Sequence, residues 1–258
     1  MPYKGWSRKS EDSWKRRKED FFDKQLERAL KMHKNPLVIG DKLGQILRDS
    51  EKEAVNLTTP RAIKKWASRS TIKKWNMILR DKRMVRELRI IGRSIANTLR
   101  PMAGHKFAQW VCSILNKSFE YYKLPFECIT KGKVKTIISE KLTIRKKGKV
   151  VHDLKPDVDI VVLKKKGKNK IPIAIISAKT TLAERVMQTI NWKRYFGQLP
   201  NDIRRIKIYL VTAWETFESG ANRERVQELD GIFVCNENVK EYRKIKKFSK
   251  ILKELKKI

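Results

Sequence analysis

Pro156 to Lys179 reads PDVDIVVLKKKGKNKIPIAIISAK, and the reading of this stretch decides the fold. The apolar, β-branched run from Asp157 to Leu163 predicts a strand, and the polar segment Lys164 to Lys170 around Gly167 predicts a hairpin loop. Ile171 to Ala178 predicts a second strand. Thr180 or Thr181 is placed to cap a following helix that runs through Arg185, Gln188 and Trp192. Further on, Ile206 to Thr212 (IKIYLVT) and Gly231 to Val234 read as a third and a fourth strand, and Glu237 to Ile258 as a Lys-rich helix. Upstream, Gly104 to Leu115 has the period of an amphipathic helix and leads into a Lys-rich loop around Lys131 to Lys135. Helix, hairpin, helix and strand in this order predict an α/β core with a mixed sheet.

Outward from this core the chain changes character. Ser7 to about Leu99 is basic and helical in period, with Phe22, Leu26, Ala29 and Leu30 at helical spacing and Pro36, Gly40, Gly44, Pro60 and Pro101 as punctuation. Ile63-Lys64-Lys65-Trp66 and Ile72-Lys73-Lys74-Trp75 are near copies that set a Trp beside paired Lys. They fit helix faces with buried Trp and solvated Lys, and they also supply charge for phosphate contact at Lys64, Lys65, Lys73 and Lys74. The expected division is a helical basic region over 1–100 and an α/β domain over 101–258 that ends in a basic helix.

Lys and Arg number 62 against 28 Asp and Glu, a formal charge of +34. A one-sided excess of this size seeks a polyanion; a thermophile's Lys is usually matched by Glu. Hydrophobic residues at 40% and seven Trp give the chain enough apolar surface to fold. No apolar run of about 18 residues exists, which excludes a spanning helix, and the N-terminal stretch lacks a secretory apolar core, so a cytoplasmic location is expected. Cys112, Cys128 and Cys235 form no CxxC pair and read as reduced core residues. His33, His105 and His152 have no metal-ligand spacing, which excludes a zinc site. No GxxxxGK[ST] is present, so a nucleotide-driven motor is excluded.

Residues two apart on a strand share a face, so Asp157 with Asp159, and Ser177 with Lys179, can each present a pair of side chains to one site. Carboxylate oxygens select magnesium or manganese over zinc, and a lysine beside them can orient a water and share developing negative charge. Asp157 after Pro156 also suits a turn, while Asp159 abuts the apolar run; both remain candidates.

Pro156-Asp157 or Asp159, a hairpin, then Ser177-Ala178-Lys179 resembles the signature of the PD-(D/E)xK nucleases, with Ser177 where the common pattern has an acid. Lys179-Thr180-Thr181-Leu182-Ala183-Glu184-Arg185 is similar to the Lys-Thr-Ser/Thr-Leu-x-Glu-Arg sequence of several type II restriction endonucleases. The resemblance covers roughly Gly104 to Val234. It implies a restriction endonuclease-like mixed sheet flanked by helices and magnesium-dependent, sequence-specific hydrolysis of double-stranded DNA that leaves 5′-phosphates. It also implies a homodimer on a two-fold site and a cognate DNA methyltransferase. The metal would be held by Asp157 or Asp159 with Glu184, which replaces the missing strand carboxylate. Lys179 would position water. Gln188 and Trp192 resemble the Gln-x-x-x-Tyr helix of related nucleases, and Arg185 is a candidate DNA contact. Gln109 stands where many of these nucleases carry a Glu. The same core and charge would also serve a DNA-repair or junction-resolving nuclease, or a non-catalytic nucleic-acid-binding protein.

Overall fold

A computed structural model describes residues 8–67, 103–130, 143–146, 149–153, 158–167, 169–180, 185–199, 201–213 and 220–258. Chain contacts divide it into two compact units, one of residues 1–27 and 46–106 and the other of 28–45 and 107–258. Two long helices come first, α1 (Arg8–Met32) and α2 (Pro36–Ala67), and residues 103–121 form α3. In the first unit Phe22 and Leu26 are buried, and the buried Lys106 side chain reaches the Asp23 carboxylate at 2.8 and 3.0 Å.

The sequence punctuation does not break α2. Asn35 caps it by accepting the Leu37 N–H at 3.0 Å, Pro36 suits the first turn, and the helix continues past Gly40, Gly44 and Pro60. Gly44 is there for close approach within the second unit. A Cβ on it would lie 1.9 Å from the Ala213 carbonyl oxygen and 2.6 Å from that of Cys235.

The second unit is built on a six-stranded mixed sheet in the order β1-β4-β5-β6-β7-β8. Its strands are β1 (Phe126–Thr130), β4 (Ile160–Lys166), β5 (Asn169–Lys179), β6 (Lys207–Thr212), β7 (Gly231–Val234) and β8 (Ile245–Lys247). Pairing is antiparallel across β1, β4 and β5 and parallel from β5 to β8. A separate two-stranded ribbon joins β2 (Thr143–Lys146) to β3 (Lys149–Asp153). On one edge of the main sheet, Asn116 of α3 accepts the Cys128 N–H at 2.7 Å and donates to the Cys128 carbonyl at 2.9 Å, occupying β1 groups that would otherwise template another strand.

The mixed α/β sheet flanked by helices agrees with the sequence reading, but two local expectations need correction. The β4–β5 hairpin is longer than expected, because Lys164 to Lys166 and Asn169 and Lys170 extend the ladder and the turn contracts around Gly167 at φ 60°. Alternate lysines can stand on the solvent face of a strand, so a polar run did not mark the loop. The tail is not one basic helix over Glu237 to Ile258. Ile245 is buried beside Ile232 as β8, a 3-10 turn follows, and only Ile251–Leu255 is α-helical.

Between β5 and β6 lie α4 (Arg185–Phe196) and the short α5 (Asn201–Arg204). Val186, Ile190 and Phe196 of α4 pack with Ile175 of β5, Ile208 and Leu210 of β6, and Ile232 and Val234 of β7 in one apolar cluster. At about 25 cal/mol per Å² of apolar surface removed from water, this burial fixes α4 to the sheet and thereby sets the position of its polar residues. Among the described residues, no helix is long and apolar enough to cross a membrane.

Candidate active site

The β4–β5 hairpin brings two sequence-predicted residues into contact. Ile160 pairs with Ile176, and extending that antiparallel register sets Asp159 opposite Ser177, with Lys179 two residues further along β5 on the same face. Asp159 Oδ2 accepts hydrogen bonds from Lys179 Nζ at 2.9 Å and from the Ala178 N–H at 2.8 Å. The Lys179 side chain is 6% exposed and that of Asp159 22%, so the ion pair sits at the rim of the core with the carboxylate on the wetter side. Burial strengthens such a pair electrostatically and makes each member costly to strand.

Beside the pair opens a cleft. Its floor is Ile175, Ser177 and Lys179 of β5 with Ile208 of β6; α4 contributes Gln188, Thr189, Trp192 and Phe196, and Val158 stands at the entry to β4. Gln188 and Trp192, one helical turn apart, therefore meet Ser177 and Lys179 in one place. Gln188 is exposed; Trp192 is half-buried, packs on the core cluster and meets Tyr195 edge-to-face. Its ring thus belongs to both the core and the cleft wall. Thr189 was not singled out from the sequence. Its place next to Gln188 on the first turns of α4 was the available signal.

Asp157 and Glu184 lie outside the described residues. So do Lys73 and Lys74, and the side chains of Lys64, Lys65 and Arg185. Arg185 opens α4, and Lys64 and Lys65 fall within α2. Gln109 is half-buried on α3. Among the described residues, no group of three or more His, Cys, Asp or Glu is gathered in a way that could hold a metal. The described oxygen donors include the Asp159 carboxylate, whose Oδ1 takes no hydrogen bond from described residues, and the hydroxyl of Ser177, which stands opposite it across the hairpin.

Comparison with known proteins bears on the same part of the chain. Residues 131–257 match the family model described as BsaWI restriction endonuclease type 2. A curated Methanocaldococcus jannaschii protein named "Putative type II restriction enzyme MjaVIP" is 31% identical over 110 residues, 39% of this chain and 48% of that protein. The chain thus spans about half the length of the curated relative it matches. The solved structure of a pre-specific restriction endonuclease BsaWI–DNA complex aligns over 93% of this chain and 89% of its own, at 13% identity and a TM-score of 0.41, too low to bear on the chemistry. Residues 131–257, which hold the Asp159–Lys179 pair and its cleft, are similar to the BsaWI restriction endonuclease family.

Proposed function

We propose that the protein is a magnesium-dependent type II restriction endonuclease that hydrolyses double-stranded DNA at a specific sequence and leaves 5′-phosphates. The observation that carries this reading is the contact between Asp159 and Lys179, made across a hairpin whose Ser177 shares their face and opens on a cleft.

The donor chemistry fits a hard cation. A carboxylate with one oxygen unclaimed by described residues, beside a hydroxyl, suits Mg²⁺, with Mn²⁺ able to substitute; Asp157 and Glu184 would complete the ligand set. When bound, such an ion supplies Lewis acidity to a phosphate oxygen and lowers the pKa of its water. The chain's own residues do the rest. Lys179 holds the attacking water by hydrogen bonding and places positive charge where negative charge develops on the phosphorus oxygens. Asp159 Oδ2, itself fixed by the Ala178 N–H, aims the Lys179 ammonium. Gln188 reaches the same cleft from α4 and can hydrogen-bond water or phosphate.

In this reading Arg185, Lys64, Lys65, Lys73 and Lys74 contact backbone phosphates, residues 1–100 grip the DNA and 101–258 cut it. Two copies act on a two-fold symmetric site. A cognate methyltransferase protects the host's own sites, and the enzyme works in the cytoplasm. Incubating the purified chain with supercoiled plasmid, with and without MgCl₂, tests the proposal. Discrete fragments that ligate without prior phosphorylation are expected. Structure-selective nicking would replace it with a repair role, and bound but intact DNA with a binding module.

A further inference from the structure

The end of the sheet away from the cleft carries a surface with no part in the site above. α3 ends at Tyr121, and Tyr122 and Lys123 turn the chain toward β1, with Lys123 at φ 52° and the Leu124 N–H donating to the Phe119 carbonyl at 2.8 Å. The next residue fixes where this turn lies. The Pro125 carbonyl accepts the Lys165 N–H at 2.8 Å, and Lys165 stands six residues along the chain from Asp159, which at about 3.3 Å per strand residue puts the turn roughly 20 Å along the sheet from the Asp159–Lys179 pair.

An aromatic pair stands at this turn. Tyr121 is 55% exposed and Tyr122 37%, whereas Phe119 and Phe126 beside them are buried. The two tyrosine rings meet edge-to-face, with centroids 4.9 Å apart at 82°. Asn35 Nδ2 donates to the Tyr122 hydroxyl at 3.0 Å, and the Lys256 ammonium lies 5.7 Å over the Tyr122 ring. Tyr122 is therefore pinned, and the more exposed Tyr121 leans on it. Exposed Lys34, Lys123 and Lys256 stand close by in the chain to these groups, and the hairpin lysines Lys165 and Lys166 follow beyond Pro125. Glu127 on β1 and Glu254 on the C-terminal helix are already paired with lysines, which leaves exposed Glu120 against this positive surround.

A pinned aromatic pair loses little freedom on binding, which favours a ligand with flat faces and negative charge. A second copy of the chain is disfavoured, because a two-fold contact here would set lysines against lysines. A duplex presents base edges in its grooves and hides the base faces, so paired DNA would meet the lysines and leave the rings idle. Unpaired nucleotides use both, with base faces stacked on the rings and phosphates on the ammonium groups. Neither contact needs a 2′-hydroxyl, so DNA suffices. We propose that Tyr121 and Tyr122, with Lys123 and Lys256, form a second nucleic-acid contact of the protein, apart from the cleft, that takes single-stranded DNA by base stacking. This contact is separate from cleavage and does not depend on it.

Fluorescence anisotropy on the full chain tests this with a labelled oligothymidylate of about 12 residues and a labelled duplex of about 20 base pairs, at about 200 mM NaCl, where contacts to phosphate alone are weakened. Tyr121→Ala should weaken oligothymidylate binding by about 5- to 100-fold while duplex affinity stays within about threefold of wild type. Tyr121→Phe, which keeps the ring, should bind within about threefold of wild type, and Tyr121→Leu, apolar but without a π-face, should lose affinity as Tyr121→Ala does. Tyr121 lies on the surface, so urea midpoints close to wild type are expected and separate lost binding from lost fold. With 5-iodouracil in the oligomer, ultraviolet cross-links should map by mass spectrometry to Tyr121 or Tyr122. A wild-type chain that does not bind the oligothymidylate, a Tyr121→Ala protein that binds it like wild type, equal losses for duplex and single strand, or cross-links confined to the cleft overturns the proposal. An oligouridylate of the same length held more than about tenfold tighter overturns the assignment to DNA.

Discussion

Lys179→Met separates chemistry from folding at this site. Methionine is unbranched like lysine and one atom shorter, and it fills most of the same slot without charge. The lost charge-assisted hydrogen bond is worth about 1.5–3 kcal/mol, but two effects offset it. Asp159 keeps the Ala178 N–H at 2.8 Å and, at 22% exposure, some contact with water. In addition, a 6% exposed ammonium no longer has to be desolvated. The net cost should stay within about 2 kcal/mol, a loss that a domain of ordinary stability survives folded. DNA affinity should barely change, because one of 62 basic residues is removed and a single phosphate contact alters the log K–log salt slope by about 0.9 at most. Cleavage should collapse. Losing a donor aimed at developing charge costs about 2.7–4 kcal/mol, and at 1.36 kcal/mol per tenfold this is a loss of about 10² to 10³ in rate. Urea unfolding, fluorescence anisotropy with labelled duplex and single-turnover plasmid cleavage measure the three quantities on one preparation. A folded, DNA-binding Lys179→Met that cuts within tenfold of wild type would refute the role given to Lys179.

Other perturbations reach the rest of the reading. Glu184→Ala should lose cleavage at low magnesium, and Ser177→Glu in that background should recover part of it by returning a carboxylate to the strand; undiminished cutting by Glu184→Ala would shift metal binding to Asp157 and Asp159 together. Gly44→Ala should destabilise the second unit by at least about 1–3 kcal/mol in urea, because the added Cβ meets backbone oxygens at 1.9 and 2.6 Å that cannot swing aside. Lys246 and Lys257 hydrogen-bond the Glu254 carboxylate and hold its pKa below the ordinary glutamate value. Its contribution to stability is therefore present above the unfolded pKa of about 4.3 and lost as the pH falls through the lower folded value, so the gap between wild type and Glu254→Gln in urea midpoint should close on acidification.

How far the sequence discloses this molecule depends on whether the signal is local. The hairpin of β4 and β5 was legible because β-branched runs carry their own strand preference, and Gly231 to Val234 emerged with its bounds intact for the same reason. β1 and β8 escaped because their strand character comes from their neighbours. Cys128 is held by Asn116 and by β4, and Ile245 is a lone apolar residue among lysines whose burial beside Ile232 appears only after the sheet is assembled. The site divides along the same line. Lys179 and Asp159 announce themselves by type, position and resemblance, and the hairpin register then puts them 2.9 Å apart. Thr212 is an ordinary threonine at the end of IKIYLVT, distinguished only by a partner 33 positions earlier in the register, Lys179. Which residue stands beside a strand end depends on the order β5-β6, a property of the folded sheet that no window of sequence contains. Charged residues such as Asp159 and Lys179 are thus legible early, whereas the neutral residues that stand beside them become legible only once neighbouring strands have been set in register.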